Sequence, residues 1–242
     1  MFSRFRKRSL ELEHLDKGDY TPEEYEGCLV ELRRVNRFLG DARALRRSLL
    51  AQVEREALKS FSVLDVGAGS GELLRTIGAW AGATEREALL VGLELNARSA
   101  SAIREESAAF PSVHAVRGDA LRLPFGDGRF DYAICSLFTH HFKDEQVVHI
   151  LNELGRVARR KVFVIDLHRH PLAYFLYTTV GRLFLRNRLI REDGALSILR
   201  GFRPRELNQL CKQTRLAGCS VERRFPFRLV MSGSGNGASR GE

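Results

Sequence analysis

The 242-residue chain is poor in the residues that most directly advertise a chemistry. Its four cysteines (Cys28, Cys135, Cys211, Cys219) contain no C-x-x-C pair. That argues against a zinc ribbon or a dithiol redox motif and leaves free, buried thiols in a reducing cytoplasm as the expectation. No apolar run reaches the roughly 18 residues a membrane-spanning helix needs. The basic start MFSRFRKRS is followed by ELEHLDKGDY, not by an apolar core, so no secretory signal is read and the cytoplasm is the expected location. Acidic residues are also in deficit, 30 against 39 basic ones, for a net charge of +9. The deficit is local. Residues 61–170 carry 13 basic and 14 acidic side chains, whereas residues 171–242 carry 13 and 5. Such an excess can serve nucleic acid, an anionic membrane surface or an acidic substrate, or reflect arginine-rich composition with no basic-patch partner at all.

What is present is a globular composition, 44% hydrophobic and 29% charged, in a length that suits one α/β domain with an added cap. Thr21-Pro22-Glu23-Glu24 has the hydroxyl, first-turn proline and third-position acid of a capping box. Leu29, Leu32, Val35, Phe38 and Leu39 then recur at helical spacing up to Gly40, and Asp41 is placed to cap a second helix to about Lys59. From Phe61 the rhythm changes. FSVLDV, ALLVGLEL, VHAVRG, RFDYAICS and KVFVIDL read as strands, with GELLRTIGAWA, NARSASAIREESAAF and KDEQVVHILNELGRVA as the helices between them. Short apolar strands alternating with amphipathic helices imply a parallel sheet covered on both faces. Pro171 to about Leu185 is an apolar, aromatic helical stretch, Pro204 opens another helix, and VERRFPFRLVM supplies the last strand or strands, of antiparallel character. The expected division is a helical cap over 1–59, a ligand-binding domain over 60–231 with a lid insertion at 171–200, and a flexible tail over 232–242.

The most informative segment is VLDVGAGSGE, residues 63–72. A buried strand ends in Asp65, and Gly67, Gly69 and Gly71 then open a helix; glycines turn sharply and let a ligand approach without Cβ obstruction. Amides at a helix start favour an electronegative ligand group. A glycine turn alone is shared by many nucleotide folds. Here Glu94 ends the second strand, where a carboxylate accepts ribose hydroxyls, and Asp119 follows the third, within reach of an adenine amino group.

With Asp65 to Gly71, Glu94, Gly118-Asp119-Ala120, LPFGDGRFDYAICS and the following histidine pair, residues 60–170 resemble the class I S-adenosylmethionine (AdoMet)-dependent methyltransferases, and within them the ubiquinone- and menaquinone-pathway branch. The resemblance implies a Rossmann-like, doubly wound, seven-stranded and mostly parallel sheet. It implies AdoMet as cofactor, with Asp65 near its amino group, Gly67, Ala68, Gly69 and Gly71 around its methionine part, Glu94 on the ribose and Asp119 on adenine. Leu95, Ala120, Ser136 and Leu137 stand as pocket walls, a role that ordinary core packing would explain nearly as well. Asp131, at the start of its strand, reads as structural.

Methyl transfer to a hydroxyl, or to an electron-rich ring that must first become a phenolate, needs a base as well as positioning. His140 and His141 follow the fourth strand at the carboxyl edge of the sheet, and Asp166 ends the next strand, placed to orient an imidazole. The competing reading has one histidine packing against cofactor and the other capping the following helix. Asp166, His168 and His170 form a D-x-H-x-H run without a fourth ligand, so a solvated loop is read there and no metal is expected. The stretch PLAYFLYTTVGRLFLRNRL reads in three ways: a lid over an apolar substrate, a core helix, or an interfacial helix with its arginines at lipid headgroups. The expected acceptor is a small apolar or aromatic metabolite, most simply O-methylated. The alternative is an RNA or other nucleic-acid methyltransferase, against which Ser136-Leu137-Phe138 stands where base-amine enzymes carry an Asn/Asp-Pro-Pro-aromatic run. A nicotinamide oxidoreductase, which would prefer G-x-G-x-x-G, and an AdoMet binder without turnover complete the alternatives. Nothing in the pattern specifies an oligomer.

Overall fold

The computed structural model describes residues 2–21, 23, 24, 27, 28, 31 and 40–235. Seven strands form one sheet: β1 (Ser60–Val66), β2 (Glu87–Glu94), β3 (Val113–Arg117), β4 (Phe130–Ser136), β5 (Ala158–Leu167), β6 (Ala217–Arg224) and β7 (Arg228–Ser234). Their spatial order is β3-β2-β1-β4-β5-β7-β6. The first five in chain order are parallel, and β7 runs antiparallel to both β5 and β6. The order reverses between β1 and β4, so their carboxyl ends splay open into the crevice where doubly wound sheets bind ligands. The Rossmann-like, mostly parallel sheet implied by the sequence is present.

The strands read as continuous apolar runs because helices cover both faces. Alternate residues serve opposite layers: Leu64, Val66, Ala133, Cys135, Val162 and Val164 pack with α4 (Asp144–Val157) and α7 (Pro204–Lys212). On the other face Val63, Tyr132, Ile134, Phe163 and Ile165 meet α1, which runs through Asp41–Leu45, a π turn at Arg46–Leu50 and Ala51–Arg55, together with α2 (Glu72–Ala83) and Ile103 of α3 (Ala97–Glu106). Fully buried aliphatic and aromatic side chains of this kind contribute roughly 1.5–3 kcal/mol each. Two further helices, α5 (Pro171–Thr179) and α6 (Arg188–Arg200), stand beyond the carboxyl edge.

Several local readings shift. The capping box is made: Glu24 N–H donates to Thr21 Oγ1 at 3.2 Å and Thr21 N–H to the Glu24 carboxylate at 3.1 Å. The apolar positions of the helix it opens, Leu29, Leu32, Val35, Phe38 and Leu39, lie outside the described residues. Asp41 is not a cap. It is the first helical residue after Gly40, and its buried carboxylate takes the Arg228 guanidinium at 2.5 and 3.1 Å. α1 stops at Arg55, short of Lys59, and Ala57 turns the chain at φ 50°. The tail begins later than residue 232, because Ser232–Ser234 continue β7 and satisfy the backbone of Lys161 to Phe163. In place of four free thiols, Cys211 on α7 and Cys219 on β6 form a disulfide. The tight connection between these elements brings their Cα atoms to 6.3 Å, a closeness that C-x7-C spacing does not reveal. Cys28 and Cys135 are free and buried.

Asp131 is structural, as read. It is 5% exposed and accepts from the Ser62 amide and hydroxyl, both at 2.9 Å, and from Arg159 and Arg160, tying β1 to β4 and β5. Burial opposes its ionisation, but Arg159, Ser62 and Arg160 outweigh it and hold the carboxyl down at about 2. A depressed folded value stabilises the fold above the unfolded carboxylate range and ceases to do so as pH falls through the folded value. Asp131→Asn is therefore expected to lower unfolding stability by about 2 kcal/mol at neutral pH, discounted for the half-exposed arginines. In urea titrations the gap to the unmodified protein should close between about pH 4 and pH 2.

Candidate active site

The turn after β1 adopts backbone that its glycines alone reach without strain: Gly67, Gly69 and Gly71 lie at φ 71°, 57° and 81°. A Cβ at Gly67 would also stand 2.4 Å from the Phe138 ring, so the β1 and β4 loops touch across the crevice. Gly69 faces open space. Gly71 is the N-cap of α2, and Asn96, whose side chain accepts from Arg98 and Ser99 amides, caps α3 on the next strand–helix connection.

Three acids line this edge in different states. Asp65 is 2% exposed, and its Oδ1 has no hydrogen-bond partner. Burial, and then the nearby Glu94, push its carboxyl well above the usual range. Glu94 accepts the Gly69 amide at 2.6 Å; burial raises its carboxyl, partly countered by the amides of Gly69 and Leu95. Asp119 is exposed, with Oδ1 taking the Leu121 amide at 2.9 Å. Of the proposed walls, Leu95 is 64% exposed beside Glu94, which excludes core packing for it, while Ala120 is buried in the core. Ser136 and Leu137 are half-buried, and Leu137 holds a left-handed φ of 49° while its amide donates to the Ile165 carbonyl at 2.9 Å. A non-glycine residue in that region is strained, and such strain concentrates where a site requires an unusual chain path.

The structure separates the two histidines. Asp166 is fully buried at the end of β5; its Oδ1 lies 2.7 Å from His140 Nδ1, and its Oδ2 accepts the Thr139 hydroxyl at 2.5 Å and the His140 amide at 3.1 Å. Burial opposes the charge, but His140 and Thr139 hold the carboxyl down at about 2. An ionised Asp166 makes Nδ1 the protonated nitrogen of the neutral His140 tautomer, so that Nε2 carries the lone pair, on a buried ring stacked against His141 with centroids 4.3 Å apart. His141 instead lies 3.5 Å from Asp16 and 4.0 Å from Glu13, and α4 is opened by Lys143 and Gln146, so neither histidine caps it. Asp166 is thus committed away from His168 and His170, and His170 Nδ1 accepts the Leu172 amide at 3.2 Å as the cap of α5.

Sequence reasoning misses Glu13, Asp16, Arg8 and Arg200. Arg200 donates to the carbonyls of His140 and His141 and to Asp16; Arg8 donates to the carbonyls of His140 and Phe142 and to Asp144. These two arginines strap residues 8–16 across the histidine turn. Glu13, His140 and His141 each bring a ligand-type atom within 4.8 Å of the others, but Arg200 already stands 3.9 Å from Glu13 as its cation. No local pattern marks the strap; its residues 8–16 meet the turn across more than a hundred positions of chain.

The site's residues suit AdoMet on a structural criterion: the orphaned Asp65 oxygen matches an ammonium group, and the open left-handed turn leaves room for the chain that carries it. Comparison with known proteins agrees. The "Methyltransferase domain" family model matches residues 63–161. A demethylmenaquinone methyltransferase of Deinococcus radiodurans is 30% identical over 185 residues, 75% of this chain and 73% of that protein. The SAM-dependent methyltransferase of Aquifex aeolicus superposes with a TM-score of 0.54 at 15% identity, over 84% of this chain and 97% of that one. The magnesium protoporphyrin IX methyltransferase of Synechocystis PCC 6803, solved with bound SAH, does so with a TM-score of 0.54 at 15% identity, over 82% and 84%.

Asp65→Asn separates grip from stability. A carboxyl whose folded value is raised opposes folding at every pH above its unfolded value, so the apo variant should be more stable by about 1–3 kcal/mol at neutral pH. AdoMet should bind it roughly tenfold or more weakly. Thermal unfolding with and without AdoMet reads both, and an apo variant that melts earlier would contradict the assignment.

Proposed function

The chain belongs to the class I AdoMet-dependent methyltransferases, and on that footing we propose that it methylates a small apolar or aromatic acceptor through a hydroxyl deprotonated by His140. The carrying observation is the buried Asp166–His140 pair, 2.7 Å apart, at the edge of the crevice whose other side is the glycine turn.

AdoMet, when bound, supplies an electrophilic methyl group on a sulfonium. The chain's own residues do the rest. Asp65 would hold the cofactor's ammonium, Gly67, Ala68, Gly69 and Gly71 its methionine part, Glu94 the ribose and Asp119 the adenine, with exposed Leu95 and the loop at Ser136 and Leu137 as walls. Phe138 and Phe142, with ring centroids 4.9 Å apart, put an aromatic surface beside the turn. His140 Nε2 would take the acceptor's proton as the acceptor oxygen becomes nucleophilic. Asp166 would keep the imidazole in the required tautomer and stabilise the imidazolium that results. Residues 8–16, pinned by Arg8 and Arg200, cover this turn and restrict water. His141, whose Nδ1 faces Asp16 at 3.5 Å and Glu13 at 4.0 Å, is assigned a positioning role in that strap. The names of the relatives, a demethylmenaquinone and a magnesium-porphyrin methyltransferase, support an apolar ring acceptor.

Transfer of a labelled methyl group from AdoMet to a panel of phenols, reduced quinones and hydroxylated polyketide rings, with RNA as the contrasting acceptor, tests the class. With the acceptor so found, His140→Gln and Asp166→Asn should each lower kcat by about 100-fold or more while AdoMet affinity stays within about threefold. His141→Gln should change kcat by less than about tenfold. Full turnover by His140→Gln would end the proposal.

A further inference from the structure

Helix α5 presents its apolar face outward. Leu172, Phe175, Leu176, Val180, Leu183 and Phe184 recur at helical spacing, and their exposures run from 39% at Leu176 to 79% at Leu183. Val180 itself has helical backbone (φ −67°, ψ −39°), so Pro171–Thr179 and Gly181–Phe184 form one continuous path and the six side chains share one stripe. The helix already has a covered inner side. Ala173 is buried, Tyr177 donates its hydroxyl to the Ile190 carbonyl at 2.5 Å, and Tyr174, Tyr177 and Thr178 line a cavity of about 480 Å³ against the N-terminal segment. The outer stripe is therefore surplus to packing, and a contiguous apolar patch of this kind on a folded protein marks an interaction site.

Its surroundings identify the partner. Residues 171–191 contain four arginines and no acidic residue, within the third of the chain that carries its positive excess. Arg186 and Arg191 are exposed and form no ion pair among the described residues. No helix among the described residues is long and apolar enough to cross a membrane. An apolar stripe ending in Leu183 and Phe184, followed directly in the chain by the exposed Arg186 and Arg191, which also line the cavity under the helix, matches a helix lying in the plane of a bilayer interface with arginines at lipid phosphates. We propose that the outer face of α5 docks this protein on anionic phospholipid bilayers. This does not depend on the identity of the methyl acceptor or of the base.

The test is sedimentation of the full chain with vesicles of phosphatidylcholine alone or with about a third phosphatidylglycerol. The protein should pellet with the anionic vesicles and be released as salt rises, with at least roughly tenfold weaker partition onto neutral ones. Leu183→Ser with Phe184→Ser should reduce partition about tenfold or more, and Arg186→Glu with Arg191→Glu should abolish the preference for anionic lipid. All four positions are exposed, and unchanged AdoMet affinity in the same samples certifies the fold. Equal pelleting of the serine variant, or no pelleting of the unmodified chain, overturns the proposal. So does equilibrium sedimentation showing a lipid-free dimer that the serine pair converts to monomer, since a second copy would then cover the face.

Discussion

A carboxylate without solvent access at the end of β5 organises the loop that follows β4 in this molecule. Asp166 accepts from the Thr139 hydroxyl, the His140 amide and the His140 ring. A buried charge left without such partners would be severely unfavourable, so the β4 loop has little freedom to take another path. Once that loop is set, the carbonyls of His140, His141 and Phe142 point toward Arg8 and Arg200, and the strap carrying Glu13 and Asp16 follows. Even the left-handed Leu137 falls into place here, since its amide must reach the Ile165 carbonyl before the chain turns back to meet Asp166.

The cofactor side follows the opposite logic. Asp65 is nearly as deeply buried as Asp166, but it has an oxygen without a partner, and its neighbour Glu94 is another acid. One acid is completed by the fold and fixes the His140 ring; the other is left incomplete and suits a cationic ligand. Two carboxylates on one sheet edge, with β4 between their strands, are thus driven in opposite directions by their surroundings, a pattern that separates roles within active sites.

Around this edge the molecule divides its surface. The Rossmann-like half is electrically balanced, whereas the cationic excess belongs to the segment that also carries the outward stripe of α5. The cavity between that segment and the N-terminal residues is lined by Glu11, Leu12 and His14, while Glu13 between them faces the histidine turn. The strap therefore separates the cavity from the His140–His141 turn, with adjacent side chains serving its two sides.

Much of this was legible in the chain itself, for physical reasons that act locally. The strand–helix alternation, the glycine turn and the acids at the strand ends follow from period-two and period-3.6 burial and from backbone that only glycine adopts readily, so they appear as short patterns around Val63–Glu72, Glu94 and Asp119. The choice between His140 and His141 was not local. It depends on which ring meets Asp166, 26 residues away in sequence for His140, across the β4–β5 pair. The strap by Arg8 and Arg200, the Cys211–Cys219 bond, the use of Asp41 as an ion-pair partner and the outward turn of the α5 stripe were likewise decided by packing between segments. Periodicity says that a helix has an apolar face; only the tertiary structure says whether that face is covered.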